Sequence, residues 1–186
     1  MKLTHNFKIA TGEWLLFWPL SHTDVEGLAK FLEKLQSKTR EFSTFSSYDI
    51  KMAQELCDAI GRYDKHRFVV LNAKGDVVGL LEYSFGIPVD DINRYRKYNI
   101  ELNEKTDCRW GPTLADEYQD KGVGSLLLPI VIRIAKQFGK SRIILFGGVL
   151  VNNSRAIHFY EKHSFKKVGE FVNRDGKKTL DMILDF

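Results

Sequence analysis

Leu114-Ala115-Asp116-Glu117-Tyr118-Gln119-Asp120-Lys121-Gly122-Val123-Gly124-Ser125 joins a strand pattern to a helix pattern, and its reading decides the fold. The strand signal runs from about Cys108 to Ala115, with Gly111-Pro112 predicting a break or bulge inside it. From Gly122 to about Phe138 the periodicity is helical and nearly all apolar (Val123, Leu126, Leu127, Ile130, Val131, Ile134, Ala135), which predicts a deeply buried helix. Pro129 predicts a kink there, because it lacks a backbone donor and crowds the preceding turn. Gly139 predicts the stop. Gly122 and Gly124 have no β-carbon, so the chain between strand and helix turns tightly and lets a ligand approach the backbone. The helix start aims free N–H groups and the positive end of its dipole at that turn. A pyrophosphate suits such a place, with Ser125 adding a hydroxyl donor and Lys121 a diffuse positive charge. A plain strand-to-helix turn has the same composition. Two other phosphate loops are excluded by spacing: no Gly-Lys-Ser/Thr follows four free positions, and no third glycine completes a dinucleotide fingerprint.

On the N-terminal side, Trp14–Trp18 reads as a strand, preceded by a short one at Phe7–Ala10 across Thr11-Gly12. Thr23-Asp24-Val25-Glu26 has capping-box spacing and opens a helix carrying Leu28, Phe31, Leu32 and Leu35 on one face. A second helix is predicted from about Tyr48 to Arg62, with Met52, Leu56 and Ile60 on one side. Arg67–Leu71 and Val77–Tyr83 flank the hairpin-length loop Asn72–Asp76. Residues 86–105 are polar and assigned to no element, a length that marks a functional loop or an insertion. On the C-terminal side come a β-rich run Arg142–Val149 and a helix from Asn152-Asn153-Ser154 to about His163. Two strands follow, near Phe165–Val172 and Thr179–Leu184, turning at Asp175-Gly176. The order β-α-α-β-β-β-α-β-α-β-β predicts an α/β (α+β) fold, a mixed sheet of about seven strands with helices on its faces. No repeat or low-complexity linker divides residues 1–186, which are read as one domain.

The bulk numbers exclude several classes. A chain of 186 residues with 44% hydrophobic and 28% charged residues suits a single globular core, and 13 Phe, 7 Tyr and 3 Trp are more than a disordered chain carries. The net charge of +4 is spread without a basic run, so nucleic acid is not the expected partner. Cys57 and Cys108 form no metal or disulfide pattern, and the five histidines have no ligand spacing, so no metal is expected and the thiols are read as buried and free. The N-terminal residues lack the apolar core of a signal peptide, and no apolar run reaches about 18 residues. No membrane association is expected, and the location is read as cytoplasmic.

About thirty residues after the glycine loop stands a second pattern: Asn153, Ala156, Phe159-Tyr160-Glu161-Lys162 and Phe165. Together the two resemble the GNAT superfamily of acyl-CoA-dependent N-acetyltransferases. That family's first signature is a Gln or Arg, two free positions, then Gly-x-Gly/Ala, as at Gln119, Gly122 and Gly124. Its lead-in "Pro-Glu-Tyr" resembles Asp116-Glu117-Tyr118, with Asp116 in place of the proline. Its second signature, Asn-x-x-Ala-x-x-Phe-Tyr-Glu-Lys-x-Gly-Phe, is similar to 153–165 except that Ser164 replaces the glycine. The likeness is strong from about 110 to 172 and looser elsewhere, including Trp18-Pro19-Leu20 through Asp24, where Trp18 replaces a common arginine.

The resemblance implies a single-domain fold with a mixed, mostly antiparallel twisted sheet, helices on both faces, and two central parallel strands that splay apart to admit the pantetheine arm of acetyl-CoA. Leu114 and Ala115 would pair with that arm, and Asn153 would help hold it. The pyrophosphate would rest on Gln119, Asp120, Lys121, Gly122, Val123, Gly124 and Ser125. Tyr160 would act as general acid toward the departing thiolate. An amine nucleophile must first lose a proton, and Glu82 and Glu117 are the carboxylates considered for that step. The implied activity is direct transfer of an acetyl group to an amine, on a small molecule or a protein, by a monomer or homodimer. A catalytically silent acyl-CoA-binding or regulatory domain of the same fold is the alternative, and a nucleotide-binding module a third. Phe42, Phe45, Tyr48, Tyr95 and Tyr98 are aromatic residues for an acceptor pocket or for the core.

Overall fold

In the computed structural model, which describes residues 3–61 and 65–186, the apolar periodicities become elements close to where the sequence puts them. The strands are β1 (His5–Lys8), β2 (Trp14–Pro19), β3 (Lys65–Leu71), β4 (Val77–Ser84), β5 (Asp107–Leu114), β6 (Arg142–Leu145), β7 (Val149–Leu150), β8 (Lys166–Val172) and β9 (Lys178–Asp185). The helices are α1 (Val25–Lys34), α2 (Ser37–Glu41), α3 (Ile50–Asp58), α4 (Val89–Arg96), α5 (Val123–Gln137) and α6 (Ser154–Lys162), with a 3₁₀ turn at Asp116–Tyr118. The strands number nine among the described residues rather than seven. The run 142–149 breaks because Gly147 and Gly148 take φ of 73° and 71°, left-handed values that end a strand.

The chain forms two compact units. One contains the chain up to Glu82 together with Pro112–Val131; the other contains Tyr83–Gly111 and Ile132–Phe186. In the first, β1 pairs antiparallel with β2 and β2 with β3, followed by β4 and the end of β5. Its core is built from the predicted apolar positions: Leu28, Phe31, Leu32 and Leu35 of the α1 region, Leu56 of α3, and Phe17 stacked on Phe68 at 4.5 Å. Asp24 occupies the N-cap position of α1 without capping it: its carboxylate accepts from Ser21 N–H at 2.7 Å, and the predicted capping box does not form. Asp49 does cap α3, accepting from Met52 N–H at 3.1 Å, so this helix starts two residues later than predicted; its predicted end at Arg62 lies outside the described residues.

In the second unit β5 pairs with β6 in parallel, β6 with β9 antiparallel, and β9 also with β7 and β8. Segment 86–105, assigned to no element from its sequence, contains α4. Arg94 holds it down: Nε and Nη2 donate to the two oxygens of Asp181 at 2.6 and 3.1 Å, and Nη2 also to Asp91 at 2.7 Å. Arg109 joins Asp91 at 3.2 Å. Tyr98 lies so close to Gly169 that a β-carbon there would stand 2.2 Å from its ring, which is why position 169 carries no side chain. Tyr98 shares its single O–H between Glu170 O at 3.1 Å and Asp181 at 3.2 Å. Lys140, itself buried, donates to Glu104 O from the other end of the segment.

Two expectations around the decisive stretch need correction. β5 runs through Gly111-Pro112 without interruption. Ala115 N–H donates to Val78 O of β4, so strand alternation turns Pro112 to the opposite edge, where a missing N–H costs no bond to β4. α5 is not buried all round: Leu126 is 38% exposed, and Pro129 lies with it on the solvent side.

Candidate active site

The loop after β5 owes its shape to two left-handed residues. Gln119 is extended (φ −74°, ψ 154°), Asp120 takes φ 58° and Gly122 takes φ 76°, after which α5 starts at Val123. A helix leaves its first N–H groups without intrahelical partners, so the start of α5 at Val123 and Gly124 presents donors and the positive dipole end to this turn, the ladder beginning at Leu126 N–H, which donates to Gly122 O. A β-carbon at Gly122 would meet no atom within 4 Å, so glycine is required there by its backbone angle and by open approach, not by packing. Lys121 Nζ stands 5.5 Å from the centre of the Tyr118 ring, and Tyr118 O–H donates to Glu13 at 2.9 Å. These groups fit a phosphate ligand: backbone donors, a helix start and a cation on one loop.

Gln119 does not point its amide away from the protein. Its Nε2 donates to Leu114 O at 2.8 Å and to Thr39 Oγ1 at 3.1 Å. Asp116, where the family signature has proline, accepts from Thr39 Oγ1 at 2.6 Å and from Gln36 N–H at 2.9 Å. Of the strand groups, Ala115 N–H is engaged by Val78 O, which leaves the opposite edge of β5, that of Leu114, as the one not committed to β4. A cleft of about 190 Å³ between α1, the β3–β4 turn and Ala115 is lined by Lys30, Lys34, Asp76 and Glu117. It is smaller than the pocket of an ordinary drug-sized ligand.

In the second unit the parallel register of β5 and β6 ends at Trp110↔Leu145, with Phe146 N–H donating to Trp110 O as its last bond. β6 stops there at the glycine pair, while β5 continues to Leu114. Trp110 is 1% exposed, and its indole N–H has no hydrogen-bond partner among the described residues. Tyr160 sets its ring edge-on to Trp110 at 6.4 Å and packs against Phe165 at 5.0 Å. Burial raises the Tyr160 phenol above its ordinary pKa, so it keeps its proton at neutral pH. Asn153 caps α6, its side-chain oxygen accepting from Ala156 N–H at 3.2 Å. Ser164 follows α6 with φ 66°, the left-handed position that the family glycine would occupy without strain.

The two candidate bases differ. Glu82 is held by Arg67 Nε at 3.0 Å, and both side chains are largely buried, so its carboxylate is already committed. Glu117 is exposed on the 3₁₀ turn.

The model described as the acetyltransferase (GNAT) family matches residues 30–165, from α1 to the end of the second motif. The chain belongs to the GNAT acetyltransferase family. Solved structures agree at the level of fold. The GNAT domain of S. lividans PAT aligns with a TM-score of 0.77 at 17% identity, covering 99% of this chain and 97% of that one. Ribosomal-protein-S5-alanine acetyltransferase from Vibrio fischeri aligns at 0.72 and 15%, covering 97% and 96%. Spermidine N-acetyltransferase from Vibrio cholerae, in a dodecameric structure, aligns at 0.64 and 21%, covering 92% and 93%. A search of curated proteins returned no match. No helix among the described residues is long and apolar enough to cross a membrane, and no group of three or more His, Cys, Asp or Glu among them is arranged to hold a metal ion.

Sequence reading placed the turn at Gly122 and the opening of α6 at Asn152-Asn153-Ser154 where the structure has them. It missed the contacts of Thr39, because α2 has five residues and no apolar period to announce it, and it missed the Trp110 N–H, which has no partner among the described residues and which only burial reveals.

Proposed function

We propose that this GNAT chain takes an acetyl group from acetyl-CoA and passes it directly to an amine bound in the same complex. The observation that carries the reading is the loop Gln119–Gly122, whose left-handed Asp120 and Gly122 deliver the chain into the start of α5. Lys121 and the first α5 amides would hold the pyrophosphate, Leu114 would pair with the pantetheine arm through its N–H, its carbonyl being taken by Gln119, and the amide of Asn153 would add a contact from its capping position. Acetyl-CoA supplies the activated acyl group. Tyr160 keeps its proton on the phenolic oxygen and donates it to the leaving sulfur. Glu117, rather than the guanidinium-bound Glu82, is the carboxylate assigned to take the amine's proton, directly or through water. The departures from the family pattern at Asp116 and Ser164 have structural roles, a helix cap and a left-handed turn, and neither removes a reacting group.

A ligand that binds only the folded state stabilises it, so acetyl-CoA at millimolar concentration raises the melting temperature. No shift would sink the reading. An acceptor screen read as free thiol release then identifies the amine, and a broad panel without release, despite thermal stabilisation, would leave the chain a silent acyl-CoA binder. Tyr160→Phe is expected to lower kcat by about 10²-fold with little change in cofactor affinity. Because burial raises this phenol, its loss of the proton does not limit the rate below about pH 10. Wild-type turnover in the Phe variant refutes the assignment.

A further inference from the structure

Gln119 opens the glycine loop, yet its side chain is directed inward by residues eighty positions away in sequence. Leu114 O only accepts, so the Gln119 group facing it at 2.8 Å is the NH₂. The second hydrogen of that NH₂ goes to Thr39 Oγ1 at 3.1 Å. The Thr39 hydroxyl, having accepted, donates its own proton to Asp116 Oδ1 at 2.6 Å. The chain of donors therefore runs one way, from Gln119 through Thr39 to a carboxylate, and charge at its end strengthens each bond before it. Thr39 is 7% exposed, so water competes poorly for these bonds.

The same carboxylate serves α2. Gln36 is the N-cap residue of this five-residue helix and offers no side-chain cap, whereas Asp116 Oδ2 accepts from Gln36 N–H at 2.9 Å. Asp116 is thus a helix cap delivered from the lead-in of the glycine loop. α2 and the loop hold each other in place.

We propose that Thr39 and Asp116 are positioning residues for the acyl-CoA loop, setting Gln119 and through it the left-handed turn at Asp120, and that occupancy of the loop in turn steadies α2. The proposal rests on the acyl-CoA reading of that loop. Coupling between two sites is reciprocal in free energy, so what α2 does for the ligand the ligand does for α2.

Thr39→Val keeps the shape and removes the hydroxyl; Thr39→Ser keeps the hydroxyl. In Thr39→Val the KM for acetyl-CoA is expected to rise about tenfold with kcat changed less than about threefold, as fits the loss of a charge-linked hydrogen bond. Thr39→Ser restores the wild-type KM. Amide hydrogen exchange in the ligand-free protein is expected to speed up in 119–125 and 36–41 in the Val variant, with β9 unchanged. Added coenzyme A slows exchange of 36–41 in the wild type and not in Thr39→Val. A wild-type KM and unaltered loop exchange in Thr39→Val would overturn the proposal. So would faster exchange spread evenly over the chain, or a Ser variant as impaired as Val, since both describe a merely structural threonine. If the wild type binds no coenzyme A, the functional reading fails, while exchange in the ligand-free variants still decides whether the brace orders the loop.

Discussion

Ser164 sits where α6 ends, with φ 66°, its N–H donating to Glu161 O and the next N–H, of Phe165, donating to Tyr160 O. Left-handed backbone costs a residue with a β-carbon about 1–2 kcal/mol, and glycine gives back part of that through its freer unfolded chain. Ser164→Gly is therefore expected to stabilise the protein by roughly 0.5–1 kcal/mol, read as a higher urea midpoint; an unchanged or lower midpoint counts against the strain argument. Because Phe165 and Tyr160 flank this turn, the same variant also tests whether strain is needed for turnover. Asp120, the other non-glycine left-handed residue of the candidate site, belongs to a residue type that tolerates this region through local hydrogen bonding.

Among the elements, α6 and α4 are held by different physics. Asn153 caps α6, and Asp caps as well as Asn does. Asn153→Asp should therefore leave the melting temperature unchanged and weaken coenzyme A binding, because it exchanges an amide donor for a negative charge. Asn153→Ala should cost about 1 kcal/mol of stability as well. An Asp variant with wild-type affinity would confine Asn153 to the cap. α4 depends on a buried ion network in which Asp181 has no exposed surface. Burial pushes the Asp181 carboxyl pKa up, while its bonds from Arg94 and Tyr98 oppose that shift. Arg94→Leu leaves the buried Asp181 without a guanidinium, while Asp91 keeps Arg109, and is expected to cost about 3–5 kcal/mol; the double variant Arg94→Leu/Asp181→Leu should be less damaging than the single one. A double variant at least as damaging would show that packing, not uncompensated charge, sets the cost.

For the whole molecule, the buried neutral acids govern behaviour at high pH. Burial pushes the Cys57 thiol from 9.0 to about 11 and the Cys108 thiol from 9.0 to about 12, and raises the Tyr83 and Tyr160 phenols. Each group has a folded pKa above its unfolded one, so its contribution is fully present below the unfolded value and is lost as pH climbs toward the folded value. The urea midpoint should hold steady from pH 7 to about 8 and fall from about pH 9 upward, first as unfolded thiols and then phenols ionise. A midpoint level to pH 11 would contradict this.

What the sequence determined by itself was whatever a few neighbouring residues encode. The helical period of α1 and α5, the glycine turn at 122, the helix opening at Asn152-Asn153-Ser154 and the spacing of the two GNAT motifs all lie within short windows. That was enough for the fold class and the family. The edges of that reading failed where long-range packing overrode local preference, as at Gly111-Pro112, kept inside β5, and at segment 86–105, ordered by Arg94 and Asp181, 87 positions apart. Only the tertiary structure decided which partner each polar side chain takes. Glu82 was legible as a carboxylate but not as the partner of Arg67, and Asp116 was legible as a departure from the family pattern but not as the cap of a helix 80 residues earlier. Polar side chains satisfy themselves equally well with water in an open chain, so their sequence carries no record of the pairing; folding chooses it by excluding the water.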